Sequence, residues 1–503
     1  MAAMELITNL ALGLSVAFTP VNLLYCFIGT FVGTMIGVLP GLGPLAVITM
    51  LLPFTFGLPP ASALIMLAGI YYGAQYGGST TAILINIPGE NSSVVSCLDG
   101  HAMAKQGRAG PALSIAAIGS FAAGSVATIL IAVASPSLSL AVRNFGAAEY
   151  FALMVLGLTA SVLLARGSPI KSVAMVLVGL LLGFIGTDAN TGESRYTFDL
   201  LGLSDGIGFI AVSMGLFGLT EIILNLQLGM NNRDILHSRV TGLMPTRDDL
   251  RAAAPAIIRG TVIGSLLGVL PGAGAMVSSF AAYVIEKKIA RDSSRFGNGA
   301  IEGLAAPESA NNAAAQTSFI PMLTLGIPGT PVMALMIGAM MLHGIAPGPQ
   351  ILTKQPELFW GLIASMWIGN AMLLIINLPM IGIWVSLLRV PYRSLFPAIM
   401  IFCAVGVYTV SNASFDVFVM VAFGLFGYIL YLLDFELAPL LLGMILGPMM
   451  EEHFRRAMVV ARGDLSTFVE RPISLVLLVI ALILLMTSAM PNFRSKRDGL
   501  LQE

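Results

Sequence analysis

Charge is scarce in this sequence of 503 residues: Lys, Arg, Asp and Glu make up 10% of it, and 25 basic side chains nearly cancel 26 acidic ones. An ordinary soluble domain carries about 25% charged residues. A chain this long with so few cannot cover a water-facing surface, which excludes a soluble enzyme, a nucleic-acid binder and a disordered scaffold. Cysteine is scarce too. Cys26, Cys97 and Cys403 lie far apart in apolar runs. They offer neither a disulfide framework nor a Cys-based metal site and read as small buried hydrophobes. Catalytic signatures are missing as well. His101, His237, His343 and His453 are dispersed, with no H-E-x-x-H, no G-x-x-x-x-G-K-[ST] and no serine-nucleophile elbow. The expectation is a chain that is not an enzyme and does not itself hydrolyse ATP. The N-terminus lacks the basic region and cleavage site of a secretory signal. It reads as the start of the mature chain, an interfacial or first spanning helix.

Apolar length is what the sequence has in quantity. Hydrophobic residues make up 57% of it, and about 20 consecutive apolar residues cross a bilayer. Apolar segments recur from 6–18 to 473–490, and the pattern predicts about 11–13 elements that cross or enter the membrane. The stretch 357–388 is long enough to need a break near Pro379. Orientation is partly legible. Arg233, Arg239, Arg247, Arg251 and Arg259, then Lys287, Lys288, Arg291 and Arg295, put two successive loops on the cytoplasmic side. That requires 260–285 to enter and return, turning at Pro271–Gly274. Basic residues flank the last span on both sides, so the side of the C-terminus stays open.

Two stretches repeat. Residues 29–43 read GTFVGTMIGVLPGLG and residues 260–274 read GTVIGSLLGVLPGAG, agreeing at nine of fifteen positions at an offset of 231. Residues 83–89, ILINIPG, match 323–329, LTLGIPG, at an offset of 240. The nine residues gained fall to the charged stretch 286–312. The chain reads as two related halves, roughly 20–190 and 250–420. The expected organisation is an N-terminal repeat with a first hairpin over 1–190, a connecting span and cytoplasmic loop over 191–254, a C-terminal repeat with a second hairpin over 255–425, and C-terminal spans and tail over 426–503. Pro removes a backbone donor and clashes with the preceding turn, and Gly lets the chain turn sharply. Pro40, Gly41 and Gly43, Pro271, Gly272 and Gly274, and the pairs Pro88–Gly89 and Pro328–Gly329 should therefore interrupt helices. Backbone groups freed in hydrocarbon must be satisfied by protein, water or ligand. Paired interruptions in two halves point to a transporter binding site near the midplane. Kinks that serve close helix packing are the competing reading.

Polar clusters precede each IPG. Gly78, Ser79 and Thr80 lead to Asn86 in the first half, and Glu308, Asn311, Asn312, Gln316 and Thr317 lie ahead of the second. The expected fold is all-α, a polytopic membrane protein with two repeats, broken helices and re-entrant helical hairpins whose tips are polar. N–H groups at half-helix N-termini can hold a carboxylate, with Ser, Thr, Asn and Gln as further donors. Carbonyls at half-helix C-termini can ligate Na⁺, expected near Ser79, Asn86, Asn312, Thr317 and adjacent backbone carbonyls. An anionic substrate then binds without a buried Arg or Lys, and neither motif contains one. For any single hydroxyl, capping a helix or bonding backbone is the competing reading. Asp99, Glu149, Glu221 and Asp416 fall near span ends and read as solvated or paired.

The chain resembles the TctA family, the large membrane subunit of tripartite tricarboxylate transporters. The resemblance rests on GVLPGLGPLAVITMLLPFTFGLPPASALIMLAGIYYGAQYGGSTTAILINIPGE at 37–90, and on GVLPGAGAM with AAPESANNAAAQTSFIPMLTLGIPGTPVMALMIGAM within 268–340. It covers about residues 20–450. It implies a multi-pass protein of the bacterial inner membrane that works with a small four-span membrane subunit and a periplasmic solute-binding protein. It also implies uptake of tricarboxylates or related carboxylates coupled to a cation gradient, Na⁺, with no other cofactor. Related binding-protein-dependent carriers imply an inverted repeat and an elevator-like motion. No nucleic-acid partner is expected, and homo-oligomerisation is left open. A passive channel, an orphan exporter and a membrane-embedded enzyme are the rival readings. Saturable, gradient-coupled uptake that needs a binding protein separates the carrier from all three.

Overall fold

Inside lipid a chain must satisfy its own backbone, and helices do so within each segment. The computed structural model is helical almost throughout. It describes residues 2–39, 43–142, 145–164, 168–188, 191–227, 242–270, 274–388 and 392–489. The first half runs α1 (Ala2–Ala17), α2 (Pro20–Gly37), α3 (Pro44–Thr55), α4 (Pro60–Ile85), the single turn α5 (Val94–Ser96), α6 (Ala109–Val142), α7 (Ala147–Leu164) and α8 (Pro169–Gly183). A hairpin of β1 (Gly186–Thr187) and β2 (Ser194–Arg195), then α9 (Phe209–Ser213) and α10 (Thr220–Gln227), lead to the second half. That half runs α11 (Arg247–Val269), α12 (Gly274–Ile289), α13 (Ile301–Thr317), α14 (Phe319–Leu325), α15 (Pro331–Leu342), α16 (Gln350–Lys354), α17 (Pro356–Asn377) and α18 (Ile381–Leu387). The remainder is α19 (Tyr392–Ser411), α20 (Ser414–Leu432), α21 (Ala438–Val460), α22 (Thr467–Glu470) and α23 (Pro472–Ala489).

Among the described residues, six helices are long and apolar enough to cross a membrane, and seven shorter apolar helices of 10–17 residues accompany them. The two-residue ladder of β1 and β2 is the only sheet among the described residues. The fold is thus an all-α polytopic membrane protein. The break expected near Pro379 lies at 378–380, between α17 and α18.

Glycine spacing sets how each half packs. Gly29, Gly33 and Gly37 of α2 lie against α4, where added Cβ atoms would come within 2.3–2.4 Å of the carbonyl oxygens of Met66, Ile70 and Ala74. Gly260, Gly264 and Gly268 of α11 meet the carbonyls of Ala306, Ala310 and Ala314 of α13 at 2.2–2.4 Å in the same way. Small residues four apart let helix backbones approach closely, which is how helices associate where lipid removes the hydrophobic drive. Residue numbers rise together along both pairs, so α2 runs parallel to α4 and α11 parallel to α13. The intervening helix therefore runs back. In the second half this return is pinned by the Arg259 Nε–Glu286 Oε2 hydrogen bond of 2.9 Å between α11 and α12.

The halves interlock. The long α6 of the first half packs along α13 of the second, and α17 of the second packs along α4 of the first. Helices α4 and α13 are consequently enclosed: every residue of α4 from Ser62 on, and every residue of α13 but Glu302, is buried. The periphery is tied down by charge. Arg195 and Arg455 share Asp188 and Glu451, joining the β hairpin to α21. Arg471 bonds Glu149 at 2.6 Å, holding the start of α23 against α7.

Candidate functional site

The two IPG motifs break their helices in the same way. α4 ends at Asn86 with φ 56°, and α14 ends at Gly326 with φ 72°. Both are left-handed residues that terminate a helix, a conformation that Gly adopts freely and Asn tolerates. Pro88 and Pro328 follow two residues later and lack the N–H that would prolong the helix. Thr330 then caps α15 by accepting from the N–H of Met333 at 3.2 Å. In the first half Glu90 takes that place and pairs with Ser93.

Each IPG segment packs beside the described edge of its own half's break, at Gly37 in the first half and Gly274 in the second. Gly89 donates its N–H to the carbonyl of Gly78 at 3.4 Å. A Cβ on Gly89 would lie 2.3 Å from Gly78 Cα and 2.9 Å from Gly37 O, so Gly89 has no room for a side chain, whereas a Cβ on Gly78 would meet nothing nearer than 3.4 Å. In the second half Gly274, at φ 54°, faces Thr330. The expected contacts at Pro40, Gly41, Pro271 and Gly272 lie outside the described residues. Helices α3 and α12 begin directly after these breaks. The 12 residues of α3 make a rod of about 18 Å, short of the roughly 30 Å hydrocarbon thickness.

The central polar feature lies between the halves. Glu308 of α13 is 1% exposed. It accepts a hydrogen bond from Ser79 of α4 at 2.7 Å and another from Ser96 of α5. Neighbouring bonds cross the same seam: Asn311 donates to Glu90 at 3.2 Å, Asn312 to Ser120 at 2.7 Å, and Thr128 to Gln316. Among the described residues no Lys, Arg or His forms an ion pair with Glu308 or Glu90. Beside Glu308 is a cavity of about 20 Å³ whose polar lining is Tyr76, Ser79, Thr80, Ser120, Glu308 and Asn377. The hydroxyl of Tyr76 and Oδ1 of Asn377 are buried without a protein partner, as are Gln75, Nε2 of Gln316 and the amide of Asn370. Buried polar groups are nearly always bonded, so such a concentration marks a place for water or ligand.

Of the residues expected at the site, Ser79, Thr80, Asn311, Asn312 and Gln316 meet at this seam. Pro88 and Gly89, and Gly274, Pro328 and Gly329, lie at the breaks beside it, and Gly78 lies inside α4 facing Gly89. Two expected Na⁺ neighbours sit elsewhere. Asn86 is exposed at the end of α4, and Thr317 donates to Ala313 O at 3.0 Å against Gly268. Sequence reasoning placed Glu308 in the second polar cluster without selecting it as a site residue, and did not select Ser96, Ser120, Gln75, Asn370 or Asn377. A lone amide inside an apolar span is a signal that could have found the last three. Among the described residues no group of three or more His, Cys, Asp or Glu is placed to hold a metal ion. Residues 202–206 do carry the letters G-x-S-x-G, but Ser204 ends a single 3₁₀ turn and donates to Leu201 O at 2.8 Å. An esterase elbow needs a strand-to-helix turn there.

Comparison with known proteins agrees with this architecture. Residues 23–442 match the family described as "Tripartite tricarboxylate transporter TctA family". The chain is 55% identical over 500 residues to an uncharacterized 52.8 kDa protein in the TAR-I ttuC' 3' region of Agrobacterium vitis, covering 99% of each chain. It is 57% identical over 240 residues to an uncharacterized protein in the TAR-II ttuC' 3' region of the same organism, covering 48% of this chain and 99% of that one. No solved structure matches.

Proposed function

Because the chain belongs to the tripartite tricarboxylate transporter TctA family and is a membrane-embedded subunit of such a transporter, we propose that it is the subunit through which tricarboxylates or related carboxylates are imported. Import is driven by a Na⁺ gradient, at the bacterial inner membrane. A periplasmic binding protein delivers the solute, a small four-span subunit completes the assembly, and alternating access is of the elevator type with the two repeats inverted.

The observation that carries this reading is the pairing of the breaks. Each half sets its IPG segment beside the described edge of its own break, Gly37 in the first and Gly274 in the second, and both halves contribute to one buried polar seam. The N-termini of α3, α12 and α15 all start at these breaks. Helix N-termini carry partial positive charge and unsatisfied N–H groups, which suits carboxylate groups without any buried Arg or Lys. The cavity at Glu308 cannot take the solute itself. Its volume of about 20 Å³ suits one or two waters, whereas pockets for small organic ligands run to roughly 300–1,000 Å³. The carboxylate is therefore assigned to the breaks, and the seam to the coupling ion.

The test is reconstitution of the chain with its two partners in liposomes, with labelled citrate as probe. Saturable uptake that needs the binding protein and collapses with the Na⁺ gradient is the expected result. Uptake that ignores every ion gradient, or that proceeds unchanged without the binding protein, refutes the proposal.

A further inference from the structure

Glu308 is a full carboxyl in the interior of a membrane protein, 1% exposed, with hydroxyl donors from Ser79 and Ser96. When ionised, it carries a charge that two hydrogen bonds do not cancel. A buried ion without a counter-charge is among the costliest features a fold can carry, and no basic side chain of the described residues supplies one. What does adjoin it is space. The cavity of about 20 Å³ beside Glu308 has room for a body the size of a water. Its polar lining offers oxygens: the Glu308 carboxylate, the hydroxyls of Ser79, Thr80 and Ser120, the phenol of Tyr76 and the amide carbonyl of Asn377. Tyr76 is 5% exposed and Asn377 is 6% exposed. The Tyr76 hydroxyl and Asn377 Oδ1 have no protein partner. The other half of the lining is apolar, with Ile83, Leu113 and Ile381 among it, and the oxygens set into that wall beside one buried carboxyl suit a hard monovalent cation.

We propose that this cavity is a Na⁺ site, with Glu308 supplying the compensating charge and Ser79, Ser120, Tyr76 and Asn377 the neutral oxygens. The site joins α4 and α6 of the first half to α13 and α17 of the second. Na⁺ therefore fastens the seam between the repeats, and its loss leaves a bare carboxylate there. The proposal rests on the carrier reading above and deepens it, by assigning the coupling ion to a residue.

The experiment uses the purified full chain in detergent, with neither partner nor carboxylate present. Thermal unfolding is followed at pH 8 as NaCl replaces choline chloride at constant ionic strength. Ligand binding to the folded state alone raises stability with the logarithm of ligand concentration once the site fills. The expected result is a saturable rise in melting temperature with Na⁺ that neither K⁺ nor choline produces. Glu308→Gln should remove the response and melt at or above the wild type without Na⁺, because the uncompensated charge is gone. Should that variant fail to fold, Ser79→Ala and Ser120→Ala keep the carboxylate and should raise the half-saturating Na⁺ concentration at least tenfold. A wild type indifferent to Na⁺ overturns the proposal. So does a response that survives Glu308→Gln, or one produced by lowering pH alone in Na⁺-free buffer, which would make the group a proton carrier. No solute is moved in this measurement. A Na⁺ response at Glu308 therefore stands even if reconstituted uptake fails, and uptake stands if the response is absent.

Discussion

A buried carboxylate costs least where backbone N–H groups converge on it, and Asp99 has three. Its Oδ1 accepts from Gly297, Gly299 and Ala300 at 2.9, 2.9 and 2.8 Å, and Oδ2 accepts from the Tyr283 hydroxyl at 3.1 Å. Gly297 and Gly299 adopt φ of 85° and 95°, a region that glycine enters without strain and that turns successive N–H groups to one side. A side chain from the first half thereby anchors the start of α13, two turns before Glu308. Read from the sequence alone, Asp99 was a span-end residue, solvated or paired. It is paired, and 0% exposed, because its donors are about two hundred positions away. Asp99→Asn should lower stability by about 1.5–3 kcal/mol, the worth of hydrogen bonds to a charged group, and Tyr283→Phe by less. Melting curves of the purified variants check the order, and an Asp99→Asn protein as stable as the wild type removes the anchor. Gly43 makes the opposite case. Its φ is −69° and an added Cβ would meet nothing within 4 Å, so neither conformation nor packing requires glycine there. If a solute approaches the backbone at the start of α3, Gly43→Ala should leave melting unchanged and raise the KM for carboxylate uptake severalfold. An unchanged KM takes that position out of the solute's path.

At the scale of elements, what was legible was the repeat. The offset of 231 that aligns Gly29, Gly33 and Gly37 with Gly260, Gly264 and Gly268, and the offset of 240 that aligns the IPG motifs, reappear as packing. Met66, Ile70 and Ala74 stand to α2 as Ala306, Ala310 and Ala314 stand to α11, again 240 apart. Glycine spacing and proline position are local properties, so a linear reading finds them. Ser96, Ser120 and Thr128 were not legible for the converse reason. Ser120 and Thr128 stand in largely apolar runs and Ser96 lies just past the polar stretch 90–93, and the partner of each, Asn312, Gln316 or Glu308, lies in the other half. The helix-pair packing makes its own prediction. Gly264→Ala would put a methyl 2.2 Å from Ala310 O, a backbone atom, so the helices must part. Overpacking of this kind costs about 1–3 kcal/mol. Gly57→Ala, whose Cβ meets nothing within 4 Å, is the control. Equal melting temperatures for the two variants would show that α11 and α13 do not pack backbone to backbone.

For the whole molecule, the seam explains why two similar halves make one folding unit. Every bond that satisfies Asp99 comes from beyond residue 280, and both hydroxyls on Glu308 come from before residue 100. An isolated half would hold one of these carboxylates without the partners that satisfy it, and a buried polar group left unbonded costs about 1–3 kcal/mol, more when charged. The exchange of α6 and α17 between the halves adds to this, since each would otherwise present its packed face to lipid. A chain expressed as 1–236 and 237–503 puts this to measurement. Either piece alone should be degraded or aggregate. Co-expressed, the two should copurify as a complex that melts near the intact chain, because no contact described above depends on the connection at that point. A first piece that is stable and monodisperse by itself would mean that the halves are independent domains merely leaning on each other. Na⁺ at Glu308 would then have no seam to close.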